Sequence, residues 1–304
     1  MRPAFSVVFL TTLIGAAQGL FVAAFAVDVL GAPAPPAFFA AATIAVVALA
    51  LGGLAASFFH LGRPERAWRA AAMWRTSWLS REVLALPAFT ALAAAWGWAR
   101  IHASPLALPA GLLALAACVA LFVCTAMIYA SIRFLQEWAS PFTLPNFVLM
   151  GCASGTTLAC AIARDAAPAI AGPCRAAAVA LTLVALIVRI ASLARNRRLV
   201  PRSTTQSAIG ATSPAALQKS RGFTGGSFNT HEFFHGVSGG GLRLVVIAFV
   251  ALAFVVPVLL LVADTGTPLA AAAFAVQYPG LVAERWYFLA DARHPQNLYY
   301  QSVA

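Results

Sequence analysis

The sequence predicts an all-α integral membrane protein with eight transmembrane helices. Of its 304 residues, 62% are hydrophobic and only 10% are charged, whereas about half of a typical soluble domain is apolar. The apolar runs are each about 20 residues long, the length that a helix needs to cross the hydrocarbon core. Strands of a membrane barrel would be about half as long and would alternate in polarity.

The apolar runs form one polytopic domain that covers residues 1–304. Its predicted spans are 5–30, 37–59, 82–98, 108–130, 144–163, 176–194, 244–263 and 268–290. The connections between them are short except for one long loop at about 195–241.

The basic residues predict the orientation. In this parse 17 of the 20 Lys and Arg residues fall on one side of the bilayer, and only Arg100, Arg164 and Arg175 fall on the other. Cytoplasmic loops retain Lys and Arg, so we expect both termini and the loops after the second, fourth and sixth helices to be cytoplasmic. Attraction to anionic lipid accounts for the same pattern without any partner protein.

The distribution of His and Cys predicts that this chain holds no haem, iron-sulfur cluster or other metal. Haem needs axial ligands within the bundle, and clusters need thiolates at short spacing. All five histidines lie outside the predicted spans: His60, His102, His231, His235 and His294. The five cysteines lie in or beside apolar helices without a Cys-x-x-Cys motif, as small buried hydrophobes do.

Few polar residues are predicted at membrane depth. No carboxylate or lysine is expected near the midplane, where a transporter would need one. Two Gly-x-x-x-Gly pairs, Gly15 with Gly19 and Gly151 with Gly155, allow close helix packing and a shared hydrogen bond. The polar residues beside these pairs are Gln18, Ser154, Thr156 and Thr157, for which we expect a packing role.

Chemically active residue types concentrate in residues 57–82, SFFHLGRPERAWRAAAMWRTSWLSRE. His60 stands at the exit of the second helix and Glu82 at the entry of the third, with five arginines and three tryptophans between them. Trp68, Trp74 and Trp78 are typical of an amphipathic helix at the membrane interface. We therefore expect an interfacial segment here.

His60 and Glu82 allow two interpretations. A histidine and a carboxylate at the edge of the hydrocarbon can exchange the two protons that accompany the two electrons of a quinone. Alternatively, His60 caps the free carbonyls of a helix end, and Glu82 is a first-turn residue favoured by the helix dipole. The residues alone leave both open.

The long loop at 195–241 is too long for a mere connector. It includes RSTTQSAIG and GFTGGSFNTHEFFHG, and it is either disordered or ordered against another protein. Its aromatic residues argue against simple disorder: Phe223, Phe228, Phe233 and Phe234. We therefore expect a docking surface.

These segments resemble a known family. The start PAFSVVFLTTLIGAAQGLF, the stretch HLGRPERAWRA with WRTSWLSRE, the loop pieces STTQSAIG and GFTGGSFNTHEFFHG, and the tail RHPQNLYYQ resemble the membrane-anchor subunits of the dimethyl sulfoxide reductase type. The likeness covers nearly the whole chain and is closest to the anchors of cytoplasmic sulfite dehydrogenases. The chain departs from related loops at His231, where they have arginine.

The resemblance implies a three-subunit complex at the bacterial inner membrane. A catalytic subunit with a molybdenum bis-pterin guanine dinucleotide and an iron-sulfur, ferredoxin-like subunit would dock on the cytoplasmic face. The anchor would hold a quinone, either ubiquinone or menaquinone, and no haem. The family's quinone-linked histidine and glutamate match His60 and Glu82, and Arg63, Arg66 and Arg81 are further candidate quinone contacts, although lipid phosphate would satisfy them equally well.

The predicted function is electron transfer between a partner's iron-sulfur cluster and membrane quinone. One version oxidises sulfite to sulfate and reduces quinone; the other is a dimethyl sulfoxide reductase-type complex that oxidises menaquinol. The absent catalytic subunit sets the substrate and the direction. From another class, a polytopic transporter remains an alternative, although the sequence shows no convincing internal repeat. We expect no nucleic-acid partner.

Overall fold

The computed structural model describes residues 1–59, 61–204, 206–207, 210, 233–263, 267–295 and 297, and within this part of the chain it contains helices and no β-strand. This confirms the all-α fold class. The long helices are α1 Phe5–Val29, α2 Pro36–Phe58, α3 Trp78–Ile101, α4 Ala107–Ala130, α5 Thr143–Ala166, α6 Pro168–Arg197, α7 Gly239–Val262 and α8 Thr267–Ala290. A 3-10 helix, Pro64–Ala71, lies between α2 and α3.

Seven of the described helices, α1 to α7, are long and apolar enough to cross a membrane. The last helix, α8, has 24 residues, but its length includes Gln277, Glu284 and Arg285, and it is not among the seven. The multi-pass architecture is therefore confirmed, whereas the eighth span stays a prediction.

Three predicted helix starts differ from the structure by four residues or more, and the seventh helix is one of them, because it begins at Gly239 rather than at 244. The third helix begins at Trp78 rather than at 82, because the Ser77 side chain caps it by accepting a hydrogen bond from the Ser80 backbone N–H at 3.3 Å. The sixth begins at Pro168 rather than at 176. Proline is favoured in the first turn, where a backbone N–H would have no partner to lose.

Successive helices run in opposite directions, so the starts of α1, α3, α5 and α7 and the ends of α2, α4, α6 and α8 lie at one end of the bundle. We call this end the loop face; among described residues it carries segments 61–77, 131–142, 198–204 and 291–295. α1 and α5 lie at the centre. α1 contacts α2, α4, α5 and α8, and α5 also contacts α6.

The two central helices touch backbone to backbone. A Cβ atom built on Gly19 of α1 would collide with the carbonyl of Gly151, and one built on Gly155 of α5 would collide with the backbone of Gly19 and Leu20. The predicted glycine pairs therefore meet each other. Only glycine allows two helices to approach this closely.

The polar residues beside these glycines make two kinds of hydrogen bond. Gln18 Nε2 donates to the Cys118 carbonyl of α4 at 2.8 Å, so it joins two helices as predicted. Ser154 Oγ instead donates to the Met150 carbonyl of its own helix at 3.0 Å, and Thr157 Oγ1 donates to Ala153 O at 2.9 Å. Both side chains are fully buried and bond within their own helix, which fits the packing role expected for them.

One irregular turn interrupts α7. Residues Ala251–Val255 form a π-helical turn just before Pro257, which has no N–H to donate to the Ala253 carbonyl. Gln277 Nε2 of α8 donates to that carbonyl at 3.2 Å. Because no water is available in the membrane core to satisfy a free carbonyl, this side chain stabilises the break and fixes α8 against α7.

We expect Gly155→Ala to destabilise the fold by at least about 1–3 kcal/mol, because the added methyl group meets the backbone of α1 and one helix must move. The matched control is Gly172→Ala in α6, where a Cβ atom meets nothing within 4 Å. Thermal unfolding of the purified protein in detergent measures both. Equal melting temperatures for the two variants would contradict the close contact.

Candidate functional site

An apolar pocket of about 330 Å³ opens at the loop face. Its wall includes residues from α1, α3, α4 and α8, among them Leu10, Thr11, Glu82, Tyr129 and Leu289. Glu82 is thus the predicted site residue that the structure brings to a cavity. A mostly apolar wall with a few polar groups is typical of a site for a small organic molecule.

Glu82 lies in the second turn of α3, about 6 Å along the axis from Trp78, and is only 5% exposed. The Thr125 hydroxyl of α4 donates a hydrogen bond to its Oε1 at 2.5 Å. Within the described ranges no cation pairs with this carboxyl group. Since a buried carboxylate without a cation costs free energy, Glu82 is suited to exchanging a proton with a ligand in the pocket.

Aromatic rings form the floor of the pocket. Tyr129 lies one turn after Thr125, and its ring centroid is 5.2 Å from Trp138, 5.6 Å from Phe147 and 5.5 Å from Phe288. Trp138 Nε1 also donates to the Phe288 carbonyl at 2.9 Å. These contacts hold the connection between α4 and α5 against the end of α8, and so they fix the shape of the pocket.

The segment before α3 contains the 3-10 helix Pro64–Ala71, and its place at the membrane interface stays a prediction. Trp68 is 70% exposed and Trp74 is 51% exposed, while Trp78 is the first residue of α3. Arg81 Nε donates to the Trp74 carbonyl at 2.9 Å, and its guanidinium lies 4.3 Å from the Trp78 ring centroid. Arg81 therefore fastens this segment to the start of α3.

The structure does not bring the three predicted arginines, Arg63, Arg66 and Arg81, to the pocket wall. His60 lies outside the described residues, so the structure gives no geometry for it. Arg63 and Arg66 are exposed, and Arg66 lies 3.8 Å from Glu65. Neither they nor Arg81 is among the lining residues. Their assignment as quinone contacts stays a prediction from the resemblance.

A second group of charged residues is buried beside the pocket. Arg189 Nε of α6 lies 2.8 Å from Glu284 Oε1 of α8, and both side chains are 2% exposed. The neighbouring Arg285 is 4% exposed, and its guanidinium lies 3.6 Å from the Phe147 ring centroid. Arg189 and Arg285 were counted among the 17 basic residues of the cytoplasmic side as if they belonged to its loops, and the structure instead buries both inside the bundle.

The physical reason for that error is pairing across the fold. Arg189 and Glu284 are separated by almost a hundred residues, and only the packing of α6 on α8 brings them together. The one available signal was a carboxylate and two arginines inside long apolar runs, where charges are rare unless they are paired or functional. Without the two arginines the loop face still carries most of the basic residues.

The described ends of the long loop and of the tail contact each other. Phe233 stacks on His294 with ring centroids 4.4 Å apart, and His235 lies 6.4 Å from Trp286. Burial lowers the pKa of His235 and of His294 below the usual range. The predicted docking residues Phe223 and Phe228 lie outside the described residues.

Residues 1–278 match the model of the DMSO reductase anchor subunit (DmsC) family. The chain belongs to this family. The C subunit of the sulfite dehydrogenase of Allochromatium vinosum is 50% identical to it, over an alignment of 327 positions that covers the whole of both chains. The resemblance seen in the sequence is thereby confirmed, and the pocket with Glu82 is a feature of a DmsC-family anchor.

We expect Glu284→Gln to destabilise this DmsC-family protein by about 3–5 kcal/mol, because it leaves Arg189 buried without its counter-charge. The control is the double variant Arg189→Met with Glu284→Met, which removes both charges and should recover much of the loss. The melting temperature in detergent measures both. A Glu284→Gln protein as stable as the wild type would show that the pair is not formed.

Proposed function

We propose that this chain is the quinone-reactive membrane anchor of a molybdenum iron-sulfur oxidoreductase. It would pass electrons between an iron-sulfur subunit bound at the loop face and a quinone in the pocket lined by Glu82. Substrate chemistry would take place in a separate subunit that holds a molybdenum bis-pterin guanine dinucleotide. Membership of an anchor-subunit family and the pocket at the loop face support this proposal.

The single observation that carries the quinone assignment is the pocket itself. Its volume of about 330 Å³ lies at the lower end of the range for small-molecule sites, which suits a quinone head group with its tail left in lipid. Its wall is mostly apolar and includes the carboxyl group of Glu82 and the hydroxyls of Thr11 and Tyr129. These donor types fit the two carbonyl oxygens of a quinone.

The residues of the pocket would bind the ring and move protons. A bound quinone supplies two-electron redox chemistry coupled to two protons. Glu82, held by Thr125, is positioned to give or take one of these protons at the pocket wall. From the resemblance we assign a proton-exchange role to His60 as well. The rings around Tyr129 exclude water from one side of the site.

The position of the pocket also fits electron transfer to a docked partner. Electrons tunnel only over short distances, so an anchor without its own redox centre must hold quinone close to the face where the cluster binds. The pocket opens at the loop face, which also carries the long loop. We infer that the iron-sulfur subunit docks there and that the catalytic subunit binds through it.

The similarity to the C subunit of a sulfite dehydrogenase supports a complex that oxidises sulfite to sulfate and reduces quinone. The family name supports the second candidate function, that of a dimethyl sulfoxide reductase-type complex that oxidises menaquinol. Both use the same pocket in opposite directions. Either ubiquinone or menaquinone fits it.

We further propose that the protein lies in the bacterial inner membrane with eight spans and cytoplasmic termini. A membrane-impermeant maleimide tests this, because all five native cysteines are at least partly buried. We expect His102→Cys to be labelled from outside intact cells and Ser207→Cys only in inside-out vesicles. Labelling of Ser207→Cys in intact cells would place the loop face outside and contradict the proposal.

We expect Glu82→Gln to lower quinone-coupled turnover of the purified complex by about 100-fold, the lower range for removal of a proton-transfer group. The glutamine keeps the shape of the side chain and the contact with Thr125 but cannot carry the proton. Turnover with quinone and with an artificial acceptor of electrons from the iron-sulfur subunit is measured in parallel. Only the first should fall.

The matched control is Glu65→Gln, an equivalent charge loss at a carboxylate whose side chain is 67% exposed and which does not line the pocket. It should behave as the wild type. If Glu82→Gln turns quinone over at the wild-type rate in an intact complex, Glu82 is not the proton-exchange residue. If neither variant nor wild type binds quinone, the proposed function itself is wrong.

A further inference from the structure

A small cavity with several polar groups in its wall adjoins the quinone pocket. Its volume is about 10 Å³, and its wall includes Thr11 and Thr12 of α1, Ser154 of α5, and Glu284 and Arg285 of α8. Thr11 also lines the quinone pocket. The two spaces therefore share one wall, and that wall carries a hydroxyl group.

The polar atoms around this cavity have unused hydrogen-bonding capacity. In the part of the chain that the structure describes, Glu284 Oε2 and Arg285 Nε are buried without a hydrogen-bond partner. The Thr11 and Ser154 hydroxyls donate to Val7 O at 2.9 Å and to Met150 O at 3.0 Å. Each hydroxyl oxygen can still accept.

One water molecule satisfies this set of atoms. It would accept from Arg285 Nε and donate to Glu284 Oε2 and to the Thr11 hydroxyl. A buried water typically makes about three such bonds, and the volume is about the minimum that one water needs. An apolar lining would leave the cavity dry, but this lining has charged groups of both signs.

We propose that this cavity binds an internal water that forms a proton path between Glu284 and the quinone pocket, with Thr11 as the last hydroxyl. The proposal rests on the quinone function proposed above. Glu284 accepts a proton from the loop face and gives it to the water. The water passes a proton to Thr11 Oγ as the Thr11 hydroxyl turns away from the Val7 carbonyl and gives its own proton to a quinone oxygen. This path supplies one of the two protons that each quinone takes up. The two electrons come from the iron-sulfur subunit.

Polar groups continue from Glu284 to the loop face. The ring of Tyr287 lies 5.9 Å from the guanidinium of Arg189, and its hydroxyl donates to Asp291 Oδ1 at 3.1 Å. Asn196 Nδ2 donates to Asp291 Oδ2 at 3.3 Å. Asp291 lies just beyond the end of α8, so polar groups lie between the loop face and Arg189, the ion-pair partner of Glu284.

Two measurements on the purified complex test the path. A high-resolution cryo-electron microscopy map should show density for one water within hydrogen-bond distance of Thr11, Glu284 and Arg285. Thr11→Val keeps the shape of the side chain and removes the hydroxyl. We expect it to lower kcat for quinone reduction about 10-fold, because the path from Glu284 then lacks its last hydroxyl while Glu82 still supplies the other proton.

The matched control is Thr90→Val in α3. Its hydroxyl donates to the carbonyl one turn earlier, Leu86 O, at 2.8 Å, as that of Thr11 does, but it lines neither space. It should keep the wild-type kcat and melting temperature. A cavity without water density in a map that resolves other internal waters, or an unchanged kcat in Thr11→Val, would overturn the proposal. Absence of quinone binding in the wild type would instead overturn the proposed function, and the density still reports on the water site.

Discussion

The close contact of α1 with α5 determines where the polar groups of this bundle lie. Because Gly19 meets Gly151 and Gly155 without side chains between them, the first turns of α1 are held against α5 and α8. Thr11 is thereby placed at the common wall of the two cavities. A larger separation of α1 and α5 would widen the small cavity and leave its charged residues in contact with a space that no single water fills.

The ionisable groups inside the bundle obey one energetic constraint. Each charge that leaves water must be paired, bonded or able to lose its charge. Arg189 and Glu284 pair with each other, and Arg285 rests on the Phe147 ring. Glu82 has a hydroxyl donor and no cation within the described chain, so its negative charge is stabilised less by its neighbours than that of Glu284. All of these residues lie in the half of the bundle nearest the loop face, about 6 to 12 Å from the helix ends.

The sequence predicted the helical membrane fold from its long apolar runs, which are a local feature. Glu82 was a candidate from its place at a helix entry together with the family resemblance, and the structure places it in a pocket wall. The rest of the site depends on packing. Thr11 and Thr125 are ordinary threonines in apolar helices until α1, α3 and α4 meet. Arg189 looked like a loop residue because periodicity does not reveal that Glu284, far along the chain, faces it. An amphipathic helix was expected before α3, and the structure has a 3-10 helix there, since the spacing of Trp and Arg does not distinguish the two.

The polar composition of α8 has a similar explanation and bears on the number of spans. Gln277, Glu284 and Arg285 are each less than 5% exposed, so they face the other helices and not the surroundings of the bundle. The exposed positions of α8 in the described chain are apolar: Pro268, Ala271, Ala275 and Pro279. Lipid contacts only the outward-facing residues of a helix, whereas the mean hydropathy of the helix also includes its inward-facing residues. The charges that set α8 apart from the seven apolar helices are therefore compatible with an eighth crossing, and the antiparallel order of the bundle supports one.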